Sequence, residues 1–166
     1  GLSNPKYKLA YNWEEVEKAA QEIGYPLVLK PVDLASSAFV KLIQTSNDLQ
    51  QAYRDLENFP LNFRDQERER AFLLEEYICG EEVSVETVSN NGEITVVGIT
   101  DKSVTGSPYF IENGHMFPAK LDEDVKEEIG DYVRNVLLAT GYDHGIAHTE
   151  IKLTKDGPKV VEINPR

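Results

Sequence analysis

Cysteine is almost absent from this chain: Cys79 is the only one in 166 residues. No internal disulfide framework can form, and a reducing, cytoplasmic setting is expected. Long apolar runs are missing as well. Nothing approaches the roughly 18 consecutive apolar residues of a membrane span, and no basic stretch leads into an apolar one, so neither a span nor a secretory leader is expected. Basic residues are scarce, 17 Lys and Arg against 29 Asp and Glu, for a formal net charge of −12. Such a surface repels polyphosphates and anionic lipids, so no nucleic-acid partner and no membrane partner is expected. Internal repeats and low-complexity stretches are lacking too, which excludes solenoid, collagen-like and disordered classes. What remains is a domain-sized chain, 40% hydrophobic and 28% charged, able to bury a core.

Helical spacing of Trp13, Val16, Ala19, Ala20 and Ile23 predicts an amphipathic helix, started by Asn12 and closed by Gly24. Strands are expected at 26–30 and 39–43, with a loop between them, followed by a helix capped by Ser46 whose inner face is Leu49, Ala52, Tyr53 and Leu56. The charge run 65–70 has the pattern of a solvated surface segment. Further on, 71–77 is a strand, and 82–89 and 93–100 form a hairpin about Asn90-Asn91-Gly92. Residues 109–117 fit a strand or an ordered loop. A helix begins at Asp122 and ends at Gly141, and strands 145–154 and 158–164 flank Lys155-Asp156-Gly157. The fold class is therefore α+β: a small α/β lobe over residues 1–60 and a larger lobe of antiparallel sheet and helix over 61–166. A ligand is expected in a crevice between lobes.

The terminal hairpin carries chemistry. A three-residue loop with Gly157 at positive φ would set Thr154 opposite Pro158, Lys152 opposite Val160, Glu150 opposite Glu162 and His148 opposite Asn164. Thr149, Ile151, Leu153, Val161 and Ile163 would then form the core face. Two carboxylates about 5 Å apart across a ladder destabilise it unless a positive charge intervenes. A divalent cation meets that need, and hard oxygens with the Asn164 amide suit Mg²⁺. The competing possibility is a register slip that leaves both acids solvated. His148 has no second His or Cys at zinc spacing and is expected to be structural.

Taken together, residues 8–166 resemble the ATP-grasp superfamily, in particular its carboxylate–amine ligases. The likeness runs through Gly24-Tyr25-Pro26-Leu27-Val28-Leu29-Lys30-Pro31, Leu74-Glu75-Glu76-Tyr77-Ile78-Cys79-Gly80-Glu81-Glu82, His148-Thr149-Glu150 and Val161-Glu162-Ile163-Asn164-Pro165-Arg166. Asp33-Leu34-Ala35-Ser36-Ser37 and the run 111–118 look most like the branch of bacterial L-amino acid ligases. That resemblance implies an ATP-grasp fold with the nucleotide between its two subdomains, and ATP with Mg²⁺ or Mn²⁺ as cofactors. Lys30 would reach the phosphates, although a strand-end lysine is otherwise a snorkelling surface residue. Ser36 and Ser37 fall on a loop over the phosphates that here lacks the glycines of many relatives, Ala38-Phe39 standing in their place. Residues Glu75, Glu76, Tyr77 and Ile78 match the linker whose backbone pairs with adenine, and Glu82 the residue that binds the ribose. An ordinary strand and a Gly80 turn are the plainer account of that stretch. Glu150, Glu162 and Asn164 would be metal ligands, and Arg166 the catalytic residue stabilising the transferred phosphoryl group or acyl phosphate. Glu112 and His115 match positions that hold the amino acid substrate, with a solvated turn as the alternative. Lys102 is expected to be exposed, with an approach to the phosphates as the alternative.

The implied reaction joins a small-molecule carboxylate to an amine. The carboxylate attacks the γ-phosphate, ADP leaves, and the amine displaces phosphate from the acyl phosphate. Two other classes compete: a non-catalytic nucleotide-binding regulatory module, favoured by the glycine-poor loop, and a carboxylase- or carbamoyl-phosphate-type enzyme that uses bicarbonate. A homodimer is the assembly to test for. Since the chain stops directly after a strand pattern, it is expected to be the central portion of a longer protein. An N-terminal Rossmann-like domain and a C-terminal continuation would be the missing partners, and the fragment is not expected to catalyse alone.

Overall fold

A computed structural model describes residue 2 and residues 4–166, which divide into two units. One comprises Pro5–Tyr77 with Thr105–Ile111; the other is chiefly Ile78–Val104 with Glu112–Arg166. The division falls after Tyr77 and not near residue 60. Its cause is strand β4 (Phe72–Glu76), which pairs with both β1 (Tyr7–Ala10) and β2 (Leu27–Pro31) and so belongs to the first sheet.

That sheet is antiparallel in the order β1-β4-β2-β3, with β3 (Lys41–Ile43) at its edge. Helix α1 (Trp13–Ile23) is started as expected, with the Asn12 side chain accepting the Glu15 N–H at 3.0 Å, and Gly24 ends it at φ +87°. Helix α2 (Ser46–Glu57) is capped by Thr45, not Ser46. Thr45 is extended and its Oγ1 accepts the Asp48 N–H at 3.2 Å, while Asp48 Oδ2 accepts the Thr45 N–H at 2.9 Å. This is a capping box in which Asp takes the place of the usual Glu. Leu27, Leu29, Phe72 and Leu74 of the sheet pack with Val16 and Ala20 of α1 and with Leu49 and Leu56 of α2. Each fully buried side chain of this size contributes about 1.5–3 kcal/mol. Phe39 is not in a strand. Turns closed by Ala38 N–H to Ala35 O (3.2 Å) and Val40 N–H to Ser37 O (3.1 Å) carry it at φ +59°, and β3 starts only at Lys41.

The second sheet runs β7-β6-β5-β8-β9, from β5 (Glu81–Asn90), β6 (Glu93–Thr105), β7 (Ile111–Met116), β8 (Gly145–Thr154) and β9 (Gly157–Pro165). Asn91 and Gly92 both take positive φ (+53° and +79°), the geometry that the Asn-Gly hairpin rule requires. The open reading of 109–117 resolves as a strand, β7, and β6 extends to Thr105. One face of the sheet packs against helix α3 (Glu123–Ala139), burying Val83, Val85, Ile99 and Ile151 against Ile129, Val133 and Leu137. The observed α+β architecture of antiparallel sheets and helices is the one expected. Among the described residues no helix is long and apolar enough to cross a membrane.

The β8–β9 hairpin differs from expectation in two places that cancel. Gly157 has positive φ (+97°) but pairs with Thr154, so Leu153 faces Pro158, Lys152 faces Lys159 and Ile151 faces Val160. A bulge at Val161 then shifts the register by one. Beyond it Glu150 faces Glu162 and His148 faces Asn164, as predicted. Val160, in place of Val161, joins Leu153 and Ile163 against the core.

Candidate functional site

The face of the second sheet away from α3 is built by alternation. Side chains of ladder partners share a face, so the pairings stack polar residues in rows. One row is Lys102, Glu82, Lys152 and Lys159; the next is Thr100, Ser84, Glu150 and Glu162; the third is Gly98, Glu86, His148 and Asn164. A bulge at Val97 decides the membership of β6. It moves the register so that Lys102, not Asp101, faces Glu82.

Lys102 is the centre of the arrangement. Its Nζ lies 2.6 Å from Glu112 Oε1, 2.7 Å from Glu150 Oε1 and 3.0 Å from Glu82 Oε1, and its side chain is 1% exposed. The expected surface placement is overturned: three carboxylates, offering oxygens within 4.8 Å of one another, compensate the charge that burial would otherwise expel. Burial works against the ammonium, but Glu112, Glu150 and Glu82 outweigh it and hold its pKa above the ordinary lysine value. Conversely, Lys102 holds the Glu112 carboxyl below its ordinary value, against a smaller opposing effect of burial and with further help from His115.

Neighbouring contacts extend the network. Lys152 Nζ lies 3.2 Å from Glu82 Oε2 and donates to Gly80 O at 3.3 Å. His148 lies between two carboxylates, 2.5 Å from Glu86 Oε1 through Nδ1 and 3.4 Å from Glu150 Oε1 through Nε2. His115 Nε2 is 3.3 Å from Glu112 Oε2, so those two expected substrate residues do meet.

Glu162 and Asn164 follow the predicted register, but Glu162 is exposed and lies outside the close carboxylate group. Glu150 alone of the three expected metal ligands is in it. The positive charge beside Glu150 is thus the Lys102 ammonium, which removes the need for a metal merely to quiet the ladder. The donor set still fits one. Glu150, Glu162 and Asn164 share a sheet face and offer only hard oxygens, as Mg²⁺ or Mn²⁺ prefers. Arg166 donates its backbone N–H to Ile146 O at 2.8 Å and leaves its guanidinium exposed.

In the first unit, Lys30 at the end of β2 is ion-paired with Glu75 of β4, both side chains about four-fifths buried (21% and 15% exposed). Glu75 thus serves the expected phosphate lysine. Glu76 gives its backbone N–H to Lys6 O at 2.8 Å, whereas the Ile78 N–H has no partner among the described residues. The Tyr77 ring lies against Phe110, centroids 6.4 Å apart. Ser36 and Ser37 are exposed at φ +57° and +56°, and with Phe39 they hold left-handed conformations without glycine. Each such residue stores on the order of 1 kcal/mol or more.

Sequence reasoning missed Lys102, Lys152 and the Glu86–His148 pair. Gly98, a glycine inside a strand pattern, was the available signal for the bulge that brings Lys102 round. A cavity of about 240 Å³ in the first unit is lined by Leu56, Phe59, Arg68 and Phe72 among others, and by none of the expected site residues.

Comparison with known proteins gives this geometry a context. A family model described as "ATP-grasp domain" matches residues 23–166. Alanine–anticapsin ligase of Bacillus amyloliquefaciens is 31% identical over 182 residues, an alignment covering 100% of this chain and 38% of that protein. The chain therefore spans under two-fifths of that relative's length. The crystal structure of L-amino acid ligase from Bacillus licheniformis superposes with a TM-score of 0.77 at 28% identity, over 99% of this chain and 36% of that one. VanG D-Ala:D-Ser ligase from Enterococcus faecalis, at 22% identity and a TM-score of 0.78, covers 99% of this chain and 48% of its own and shares the fold.

Proposed function

Because the chain belongs to the ATP-grasp domain family, we propose that it is the ATP- and metal-binding portion of a cytoplasmic carboxylate–amine ligase that joins amino acids. The observation that carries this reading is the family match over 23–166, which contains every residue proposed for the site.

Lys30, released from Glu75, neutralises phosphate oxygens, and Ser36 and Ser37 lie over them. Adenine is met by the backbone of the linker at Glu76, Tyr77 and Ile78, and the ribose by Glu82. Glu150, Glu162 and Asn164 hold Mg²⁺ or Mn²⁺, which when bound supplies charge neutralisation at the phosphates. The substrate carboxylate attacks the γ-phosphate, giving an acyl phosphate and ADP, and an amine then displaces inorganic phosphate to form an amide. Arg166, planar and always charged, stabilises the charge that develops in transfer. Glu112 and His115, already joined, hold the amino acid substrate.

The experiment is ADP release by the full-length protein with ATP across a panel of amino acid pairs, with and without Mg²⁺. Release that depends on an amino acid pair and on the metal, and is lost in Glu162→Gln, is the expected result. Release unaffected by Glu162→Gln would remove that residue from the metal set, and no release with any pair would remove the ligase activity.

A further inference from the structure

The charge run 65–70 conceals a buried arginine. Arg68 is 6% exposed in its side chain, and its guanidinium satisfies three groups at once: Nε donates to Asp33 Oδ1 at 3.1 Å, and Nη1 to Leu56 O at 3.1 Å and Phe59 O at 3.5 Å. Asp33 is equally engaged, its second oxygen accepting the Glu69 N–H at 2.7 Å. The two carbonyls belong to the end of α2 and the residues just after it, so one planar cation ties that end to the loop between β2 and β3. Phe39, at the other end of the same loop, packs against Phe59 with centroids 4.8 Å apart and the rings tilted by 43°. The loop is thus held at both feet on one support, and between them Ser36 and Ser37 are kept in left-handed conformations without glycine.

We propose that Arg68 and Asp33 are positioning residues that fix this loop in the conformation that presents Ser36 and Ser37 to the nucleotide's phosphates. The inference rests on the nucleotide-binding function proposed above. An anchored loop supplies order that glycines do not: it arrives already shaped, and binding spends little free energy on ordering it. Neither residue touches the ligand. Their effect falls on the phosphate end of the nucleotide and spares adenosine, whose contacts lie at the 76–78 linker.

The test measures binding of Mg²⁺ with a non-hydrolysable ATP analogue, and separately of adenosine, to the full-length protein carrying Arg68→Met, Arg68→Lys or Asp33→Asn. Binding of the analogue should weaken about tenfold in Arg68→Met and Asp33→Asn, the scale of one lost charge-assisted hydrogen bond. Adenosine binding should stay within about twofold, well under that scale. Arg68→Lys, which keeps the charge but cannot bridge all three acceptors, should recover part of the loss and covers the case in which Arg68→Met fails to fold. Equal loss for both ligands would mean a purely structural role and overturn the proposal, as would no loss for either. If the parent protein binds neither ligand, the nucleotide-binding function fails and the anchor falls with it.

Discussion

Replacing Lys102 with methionine removes one charge and almost no volume, so it isolates the electrostatics of the carboxylate cluster. Two carboxylate oxygens within 4.8 Å of one another repel by at least about 3.5 kcal/mol at an effective dielectric of 20. Some of that is relieved: Glu112 is 41% exposed, Glu82 keeps Lys152 at 3.2 Å and Glu150 keeps His148 at 3.4 Å. Breaking a buried ion pair from one side typically costs about 3–5 kcal/mol, and the remaining partners place this variant near the lower end. The protein has a second outlet. With the ammonium gone, that repulsion favours one carboxyl of the cluster taking up a proton as pH falls, which sets its folded-state pKa above the unfolded value. A folded-state pKa raised above its unfolded value gives stability that is present at low pH and lost as pH rises through it. Lys102→Met should therefore recover stability as pH falls from 7 to 5. The parent behaves oppositely, because Glu112 is depressed by Lys102 and its contribution is lost as pH falls below the ordinary glutamate value. Urea unfolding of the full-length parent and variant at several pH values should give curves about 3 kcal/mol apart at pH 7 that converge on acidification. A gap that stays constant with pH, or no gap at pH 7, would refute the cluster as described.

Thr45→Ala should lower stability by about 1 kcal/mol in thermal or urea unfolding, whereas Ser46→Ala should change it little, since the capping box runs through Thr45. Gly80→Ala should be worse than its size suggests. A Cβ there would sit 2.1 Å from the Leu153 carbonyl oxygen, a backbone atom that cannot swing away, so a loss of about 1–3 kcal/mol or more is expected in the same assay. A Gly80→Ala protein as stable as the parent would mean that the β5–β8 approach is looser than described.

Where the sequence carried a local rule, the fold was legible. Asn91-Gly92, the apolar stripe of α1 and the Asn12 cap each depend on a few neighbouring residues, and each stands where expected. Thr45 was missed because a capping box is a geometry of two side chains, and Ser46 satisfied the compositional rule equally well. The acids of β8 and β9 were paired correctly through two compensating errors, one at Gly157 and one at Val161. Counting back from the turn could not see a bulge. The same blindness hid Lys102: an unbroken count from Asn91-Gly92 puts Asp101 opposite Glu82, and only the bulge at Val97 exchanges them. Arg68 escaped for another reason, since a run of mixed charge says nothing about which member folds inward to find three acceptors.

The two bulges also bear on how this chain should be compared with others. Each acts on its strand as a frameshift acts on a message, changing which residues are read from one side of the sheet. A relative lacking one residue at 97 or 161 would keep its acids and lysine in phase by straightening the strand there. One lacking a residue between the bulge and the site, at 99–101 for example, would turn a different side chain toward Glu82 unless a bulge elsewhere restored the phase. An alignment gap of one residue in β6 or β9 is therefore to be judged by its position before any loss of function is read from it.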